Sequence, residues 1–286
     1  MTKQGFSTLL KVSIFATGLS GIVAEYILAT TASYFLGDSV FQWTIILSLM
    51  LFAMGLGSRF SKKISSKLIE SYIILEFLLS IITSFSVIFV YTLMPFLSGM
   101  DLIIYSLSIV VGFLIGMEIP LVTRINSEYE ELKTNISAMM ENDYYGSLVG
   151  GLFFAFIGIR ILGLTYTPFV VGGINLIVAL VLLYSFRNII APGARKKLYL
   201  AGGGVAVLFI LGIVFSNPIV QYGNQSRFSE KVVFSEQTPY QQITITQWQS
   251  NHQLYLNQGK QLSTFDEWLY HEPLVHPVMG LTQGKV

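Results

Sequence analysis

Three carboxylates draw attention because of where they lie. Glu25, Glu76 and Glu118 each interrupt a long apolar run, and Glu25 and Glu76 sit several residues from either end of theirs. A charged side chain in mid-bilayer costs at least about 2–3 kcal/mol, so in a transmembrane helix such groups turn to the bundle interior or to a cavity. Together they could line an internal polar pocket for a cation. They could equally form a structural network, with Glu118 near an interface just before Pro120. A second polar set closes the chain: Asp266-Glu267, Tyr270-His271-Glu272 and His276 fall within a few turns of one another. Other chemistries are excluded. Without cysteine there is no disulfide, thiolate nucleophile or thiolate metal site. The 3 histidines all lie in the last 35 residues, so the apolar part has no His-rich metal site.

The elements that must position these groups follow from composition. Apolar residues make up 53% of the 286 and charged residues only 12%, about half the roughly 25% usual in soluble domains. So little charge cannot cover a water-exposed surface, which implies an α-helical polytopic membrane domain. The apolar runs predict seven transmembrane helices, near 10–36, 40–60, 68–93, 101–123, 144–163, 166–186 and 198–216. The first run is too long for a signal peptide and contains Glu25, so it reads as a retained helix. Pro168 is expected in the first turn of the sixth, where a missing N–H costs little. A net charge of +1 and the lack of basic clusters interleaved with aromatics argue against nucleic acid as a partner.

Lys3 and Lys11 in the tail, Arg59, Lys62, Lys63 and Lys67 in the second loop, Arg124 and Lys133 in the fourth, and Arg187, Arg195, Lys196 and Lys197 in the sixth put these segments inside. Loops one and three carry no basic residue. Seven crossings then place the C-terminal segment outside a multi-pass cell membrane protein, such as one of a bacterial inner membrane; an even count would return it to the cytoplasm. Gly112 with Gly116, and Gly146 with Gly150, have the small-residue spacing that lets helix backbones approach. Packing within the bundle is the simpler use of them, a homo-oligomer interface the alternative. Between the fourth and fifth runs, residues 126–142 predict a short amphipathic helix with a Ser127–Glu130 capping box.

Composition changes at Asn217-Pro218, dividing the chain into 1–216 and 217–286. Phe228 to Ser235, Gln242 to Trp248 and Gln253 to Asn257 alternate with the period of strands, with turn composition over Gln249–His252. They predict a small antiparallel β-meander with Ile243 and Ile245 on its apolar face. A helix from about Phe265 to Leu281 should follow, capped by Thr264 and kinked or interrupted at Pro273 and Pro277. A meander of about 60 residues with one helix buries little core unless a further layer covers it.

Read in order, Tyr240-Gln241, Leu254-Tyr255-Leu256-Asn257, Gln261, Asp266-Glu267, Tyr270-His271-Glu272 and His276-Pro277 resemble the N-terminal β-domain of spermidine synthases, which are polyamine aminopropyltransferases. The apolar part, with Glu118-Ile119-Pro120 and Asp143-Tyr144-Tyr145-Gly146, also resembles the membrane domain fused to some bacterial members. The resemblance implies a Rossmann-like methyltransferase-type catalytic domain directly after Val286, with Lys285-Val286 as its first residues; the chain given lacks that domain. It further implies that Gln241 and Leu256 contact the nucleoside, and that Tyr270 and His271 line the amine site. A phenol ring and its oxygen suit a cationic amine, and a side-chain amide both donates to and accepts from a nucleoside. Two positions depart from the family pattern. Leu-Asp-Gly is here Leu256-Asn257-Gln258, with Gly259 one place late, and the usual Asp after the strand Gln is Gln242.

The implied reaction is aminopropyl transfer from decarboxylated S-adenosylmethionine, as co-substrate, to putrescine or a related amine, with no metal and no tightly bound cofactor. Its catalytic groups would lie outside this chain, which alone should not turn over. A reading from another class is a polyamine or cation transporter or sensor, with Glu25, Glu76 and Glu118 as its path and a non-catalytic synthase-like domain.

Overall fold

The computed structural model describes residues 2–96, 99–238, 240–257 and 259–281. Helices α1 (Lys3–Leu36), α2 (Ser39–Ser61), α3 (Leu68–Leu93) and α4 (Met100–Asn126) come first. Helix α5 (Leu132–Phe153) continues as a π-helical segment over Phe154–Leu162, and is followed by α6 (Gly163–Ser185) and α7 (Pro192–Ser226). Strands β1 (Lys231–Gln237), β2 (Gln242–Trp248), β3 (Asn251–Leu256) and β4 (Gly259–Ser263) precede α8 (Trp268–Leu281). Six helical stretches are long and apolar enough to cross a membrane, with Leu132–Ser185 counted as one of 54 residues. Within that stretch the backbone turns at Gly163, whose φ of 63° is the left-handed region that a residue without Cβ enters freely.

Helix α1 is the hub, packed against α2, α4, α5 and α6, while α3 packs against α4, α6 and α7. Glycine sets the closest approaches. A Cβ on Gly146 would strike the Phe15 carbonyl and one on Gly150 the Leu19 carbonyl, which seats α5 on α1. On the other side of the hub, Gly112 and Gly116 meet the backbone of Met50 and Met54, which seats α4 on α2. Both glycine pairs are thus used inside the chain. The bundle has two apolar cores, one around Leu10, Tyr72, Leu121 and Phe186, the other around Ile27, Met50, Tyr91 and Ile104. Its outer surface is also apolar: Leu51, Phe52, Ile177, Tyr184 and Val214 are all exposed.

Several expectations are corrected. No separate amphipathic helix forms over 126–142; α5 starts at Leu132 and runs unbroken into the apolar segment. The Ser127 hydroxyl instead donates to the Arg124 carbonyl, and Glu130 turns to Lys11, so the capping box does not form. Pro168 lies inside α6 rather than in its first turn. Helix α7 passes through Asn217-Pro218 to Ser226, its packing on α3 and α6 offsetting the lost hydrogen bond and the ring clash of an interior proline.

The sheet has four antiparallel strands in the order β1-β2-β3-β4, one more than the alternation predicts. Trp248 pairs with Asn251, so the turn between β2 and β3 is only Gln249 and Ser250, with Gln249 at φ 55°. Leu256 pairs with Gly259, and β4 had been hidden by its polar sequence Gly-Lys-Gln-Leu-Ser. The turn residue Gln258 lies outside the described residues, as do Lys285 and Val286. In β2 it is Gln242, Thr244 and Thr246 that are buried, while Ile243 and Ile245 stay half-buried. Thr264 does not cap α8: its hydroxyl accepts from the His252 amide across the sheet at 2.8 Å. Pro273 and Pro277 lie within a continuous α8, none of whose residues is buried.

Candidate functional site

Two of the three acids, Glu76 and Glu118, meet inside the bundle. Glu76 is 0% exposed and Glu118 2%, on facing helices α3 and α4. Glu76 neighbours Glu118 and the Tyr72 phenol, and Glu118 neighbours Asp143 of α5 and Thr17 of α1. Glu25, 8% exposed, completes the line through its own proximity to Asp143. Both Glu76 oxygens and one Glu118 oxygen lack a hydrogen-bond partner among the described residues. The ion pair found among those residues lies elsewhere: Lys11 to Glu130 at 2.9 Å. The sequence marked Glu25, Glu76 and Glu118, and the fold adds Asp143, which their spacing gave no reason to join.

The C-terminal candidates divide into two groups. Gln241 leads into β2, and strand alternation turns it away from buried Gln242, toward the face that carries Ile243. Ile243 pairs with Leu256, so Gln241 and Leu256 come together at one corner of the sheet's open face. The backbone N–H of Gln241 donates to the Thr238 hydroxyl at 3.0 Å, and its carbonyl accepts from that hydroxyl at 2.7 Å. No hydrogen bond engages its side-chain amide among the described residues. Tyr270 and His271 lie on α8, where no hydrogen bond or ring contact joins them to Gln241 or Leu256. The Trp248–Phe265 ring contact, at 6.3 Å, ties only the lead-in of α8 to the sheet.

Sequence reasoning missed the junction between sheet and bundle. Gln242, 2% exposed, donates through Nε2 to the Asn224 side-chain oxygen of α7 at 2.9 Å. Its Oε1 accepts from the Arg227 guanidinium at 2.7 Å. Arg227 also lies over the Phe35 ring at 5.0 Å, and burial pushes it below its ordinary value, partly offset by the Tyr91 phenol. The departure from the family pattern at Gln242 thus has a structural use: an amide serves Asn224 and Arg227 at once. Gln237, at the end of β1, donates to the Tyr91 hydroxyl at 2.9 Å and accepts from the Leu164 amide at 3.2 Å. The Tyr34 hydroxyl donates to the Thr238 carbonyl at 2.6 Å. The available signal was a tyrosine at the end of each of two apolar runs, Tyr34 and Tyr91, an apolar body with a polar tip. Two clefts open at this junction. One, of about 740 Å³, lies between the π-helical segment, α7 and β1, with Arg160, Gln221, Asn224 and Gln237 in its wall. The other, of about 670 Å³, includes Asp101, Arg227, Phe228 and Tyr255.

Known proteins resemble this chain along nearly all of it. Polyamine aminopropyltransferase 2 of Aquifex aeolicus is 42% identical over 273 residues, 94% of this chain and 54% of that protein. The polyamine aminopropyltransferase of Oceanobacillus iheyensis is 35% identical over 92% of this chain and 51% of its own length. That of Leptospira interrogans is 32% identical over 95% and 54% respectively. The chain is homologous to polyamine aminopropyltransferases. It spans about half the length of these relatives. An aligned 273 residues reaches far beyond the sheet, so the relationship to these aminopropyltransferases includes the helical bundle. No family model matches the chain. No solved structure matches it.

Proposed function

We propose that this chain is the membrane-embedded, substrate-wall half of a polyamine aminopropyltransferase of spermidine-synthase type. The observation that carries the reading is identity of 42% to a polyamine aminopropyltransferase across 94% of the chain, bundle and sheet together. In the full-length protein an amine nitrogen of putrescine or a related diamine attacks the aminopropyl carbon bound to the sulfonium of decarboxylated S-adenosylmethionine. The C–S bond breaks, its electron pair leaves on sulfur as a neutral thioether, and the amine sheds a proton to a base in the half of the protein beyond this chain. Gln241 and Leu256 form the nucleoside wall. Tyr270 and His271 reach the amine once α8 is covered by that other half, since no hydrogen bond or ring contact joins them to Gln241 among the described residues.

The bundle is read as seven crossings of a cell membrane. A 54-residue helical run would extend about 80 Å at 1.5 Å per residue, against a hydrocarbon core of about 30 Å, and the Gly163 turn folds it into two. The π-helical segment packs back on α6, as such a hairpin requires. Basic residues gather at one end of the bundle, where Lys11 meets Glu130 and Arg124 donates to the Ile64 and Ser61 carbonyls. The sheet is fastened to the other end, through Tyr34, Tyr91, Leu164 and Asn224. With the basic end inside, the sheet lies outside, and the donor must reach it there.

The test is transfer of labelled aminopropyl from decarboxylated S-adenosylmethionine to putrescine by the full-length protein in sealed vesicles. The proposal expects a labelled triamine, and cleavage of the sheet by external protease. Absence of transfer to any diamine would sink the enzymatic reading; a protected sheet would sink the topology.

A further inference from the structure

At the junction, the same residues that fasten the sheet to the bundle also bracket Gln241. On the N-terminal side, Gln237 bridges the Tyr91 hydroxyl of α3 and the Leu164 amide of α6. The next residue, Thr238, is held at its carbonyl by Tyr34 of α1, itself 3% exposed. Thr238 then makes three contacts with Gln241: N–H to carbonyl at 3.0 Å, hydroxyl to carbonyl at 2.7 Å, and hydroxyl from the Gln241 N–H at 3.0 Å. On the C-terminal side, Gln242 is fixed at its amide by the Asn257 side chain and at its own side chain by Asn224 and Arg227. The backbone of Gln241 is therefore tied on both sides to α1, α3, α6 and α7, while no hydrogen bond engages its side-chain amide among the described residues.

We infer that Tyr34 and Gln237 are positioning residues for the donor site: the helical bundle, through their hydrogen bonds, sets where the Gln241 amide points. The inference rests on the reading of Gln241 as a nucleoside contact. It gives the bundle a part in substrate recognition beyond anchoring. A hydrogen-bonding group moved by a fraction of its bond length loses most of its bond, because the interaction weakens steeply with distance and angle. Loss of either contact should then weaken donor binding and leave the amine side, carried by α8, unaffected.

The experiment uses the full-length protein in detergent and measures equilibrium binding of decarboxylated S-adenosylmethionine, with KM for donor and diamine read separately. Tyr34→Phe removes one oxygen and no volume, and Gln237→Ala removes the bridge. Each is expected to weaken donor binding about fivefold to tenfold with the diamine KM unchanged. Gln237→Glu should restore most of the loss, because a carboxylate still accepts from the Leu164 amide and can accept from the Tyr91 hydroxyl. In the Gln241→Ala background, Tyr34→Phe should cause no further loss. Equal weakening by Tyr34→Phe with and without Gln241, or unchanged donor binding in both single variants, overturns the positioning role. Unchanged donor binding in Gln241→Ala alone instead overturns the nucleoside assignment on which it rests. Tyr34→Phe is the variant that decides if Gln237→Ala fails to fold.

Discussion

The bundle and the sheet both invert the usual arrangement of a water-soluble domain, for different reasons. In the bundle the outer surface is apolar, and the carboxyls of Glu76 and Glu118, three of whose oxygens lack a hydrogen-bond partner among the described residues, are inside. In the sheet the polar row Gln242, Thr244 and Thr246 is buried, and the aliphatic row Ile243, Ile245, Leu254 and Leu256 is left half open. The first pattern is compatible with a multi-pass membrane protein, as are the six long apolar helices. The second leaves an apolar face of the sheet open among the described residues. The buried polar groups differ as well: Gln242 at the junction is hydrogen-bonded at both ends of its amide, whereas neither Glu76 oxygen has a hydrogen-bond partner among the described residues. Buried polar groups therefore hold the sheet in place at one site and are tolerated at a stability cost at the other.

That comparison can be broken at its strongest point first. Gly146→Leu should collapse the α1–α5 seam, costing about 3 kcal/mol or more, because its neighbour is backbone that cannot give way. Gly203→Leu, with nothing near it, should leave the unfolding temperature in detergent unchanged. Equal effects would mean that the seams are not what holds the bundle. Next, Gln242→Leu should cost about 2–3 kcal/mol by leaving Asn224 and Arg227 buried without their partner, and should expose the α7–β1 link to protease. Glu76→Leu should have the opposite sign, a gain of about 1–2 kcal/mol, since it replaces an unpartnered buried carboxyl with an apolar group of similar size. Destabilisation by Glu76→Leu would show that the acid line holds partners of its own.

The smallest effect belongs to the exposed end of the bundle. The Lys11 hydrogen bond holds the Glu130 carboxyl below its ordinary value of 4.5. A depressed carboxylate stabilises the fold at pH above that ordinary value, and the contribution is lost as pH falls through the lowered one. Because the pair is partly solvated it is worth under about 1 kcal/mol. Thermal unfolding across the acidic range should show this slope in the unaltered protein and lose it in Glu130→Gln.

Much of the architecture was legible because long apolar helices announce themselves by length and composition, and because Gly112, Gly116, Gly146 and Gly150 carry their packing in their spacing. The strands β2 and β3 showed through their alternation. Strand β4 did not, since Gly259 to Ser263 has one aliphatic residue and draws its order from pairing with β3. The extension of α5 to Leu132 was hidden by its polar first turns, which are helical because Asn135 bonds the Thr123 carbonyl and the Asn126 side chain. At the candidate site, the nearness of Gln241 to Leu256 follows from strand register, which the alternation implies. The clamp from Tyr34, Tyr91 and Gln237 depends on contacts between residues more than a hundred positions apart, for which one sequence holds no pattern.

The account stands most directly on where the donor binds. Hydrogen exchange of the full-length protein, with and without decarboxylated S-adenosylmethionine, reads this at peptide resolution. The account predicts slowed exchange over the Tyr240–Ile243 and Leu254–Leu256 segments, with α3 around Glu76 unchanged. Protection confined to the bundle helices, or none on the sheet at saturating donor, would contradict it.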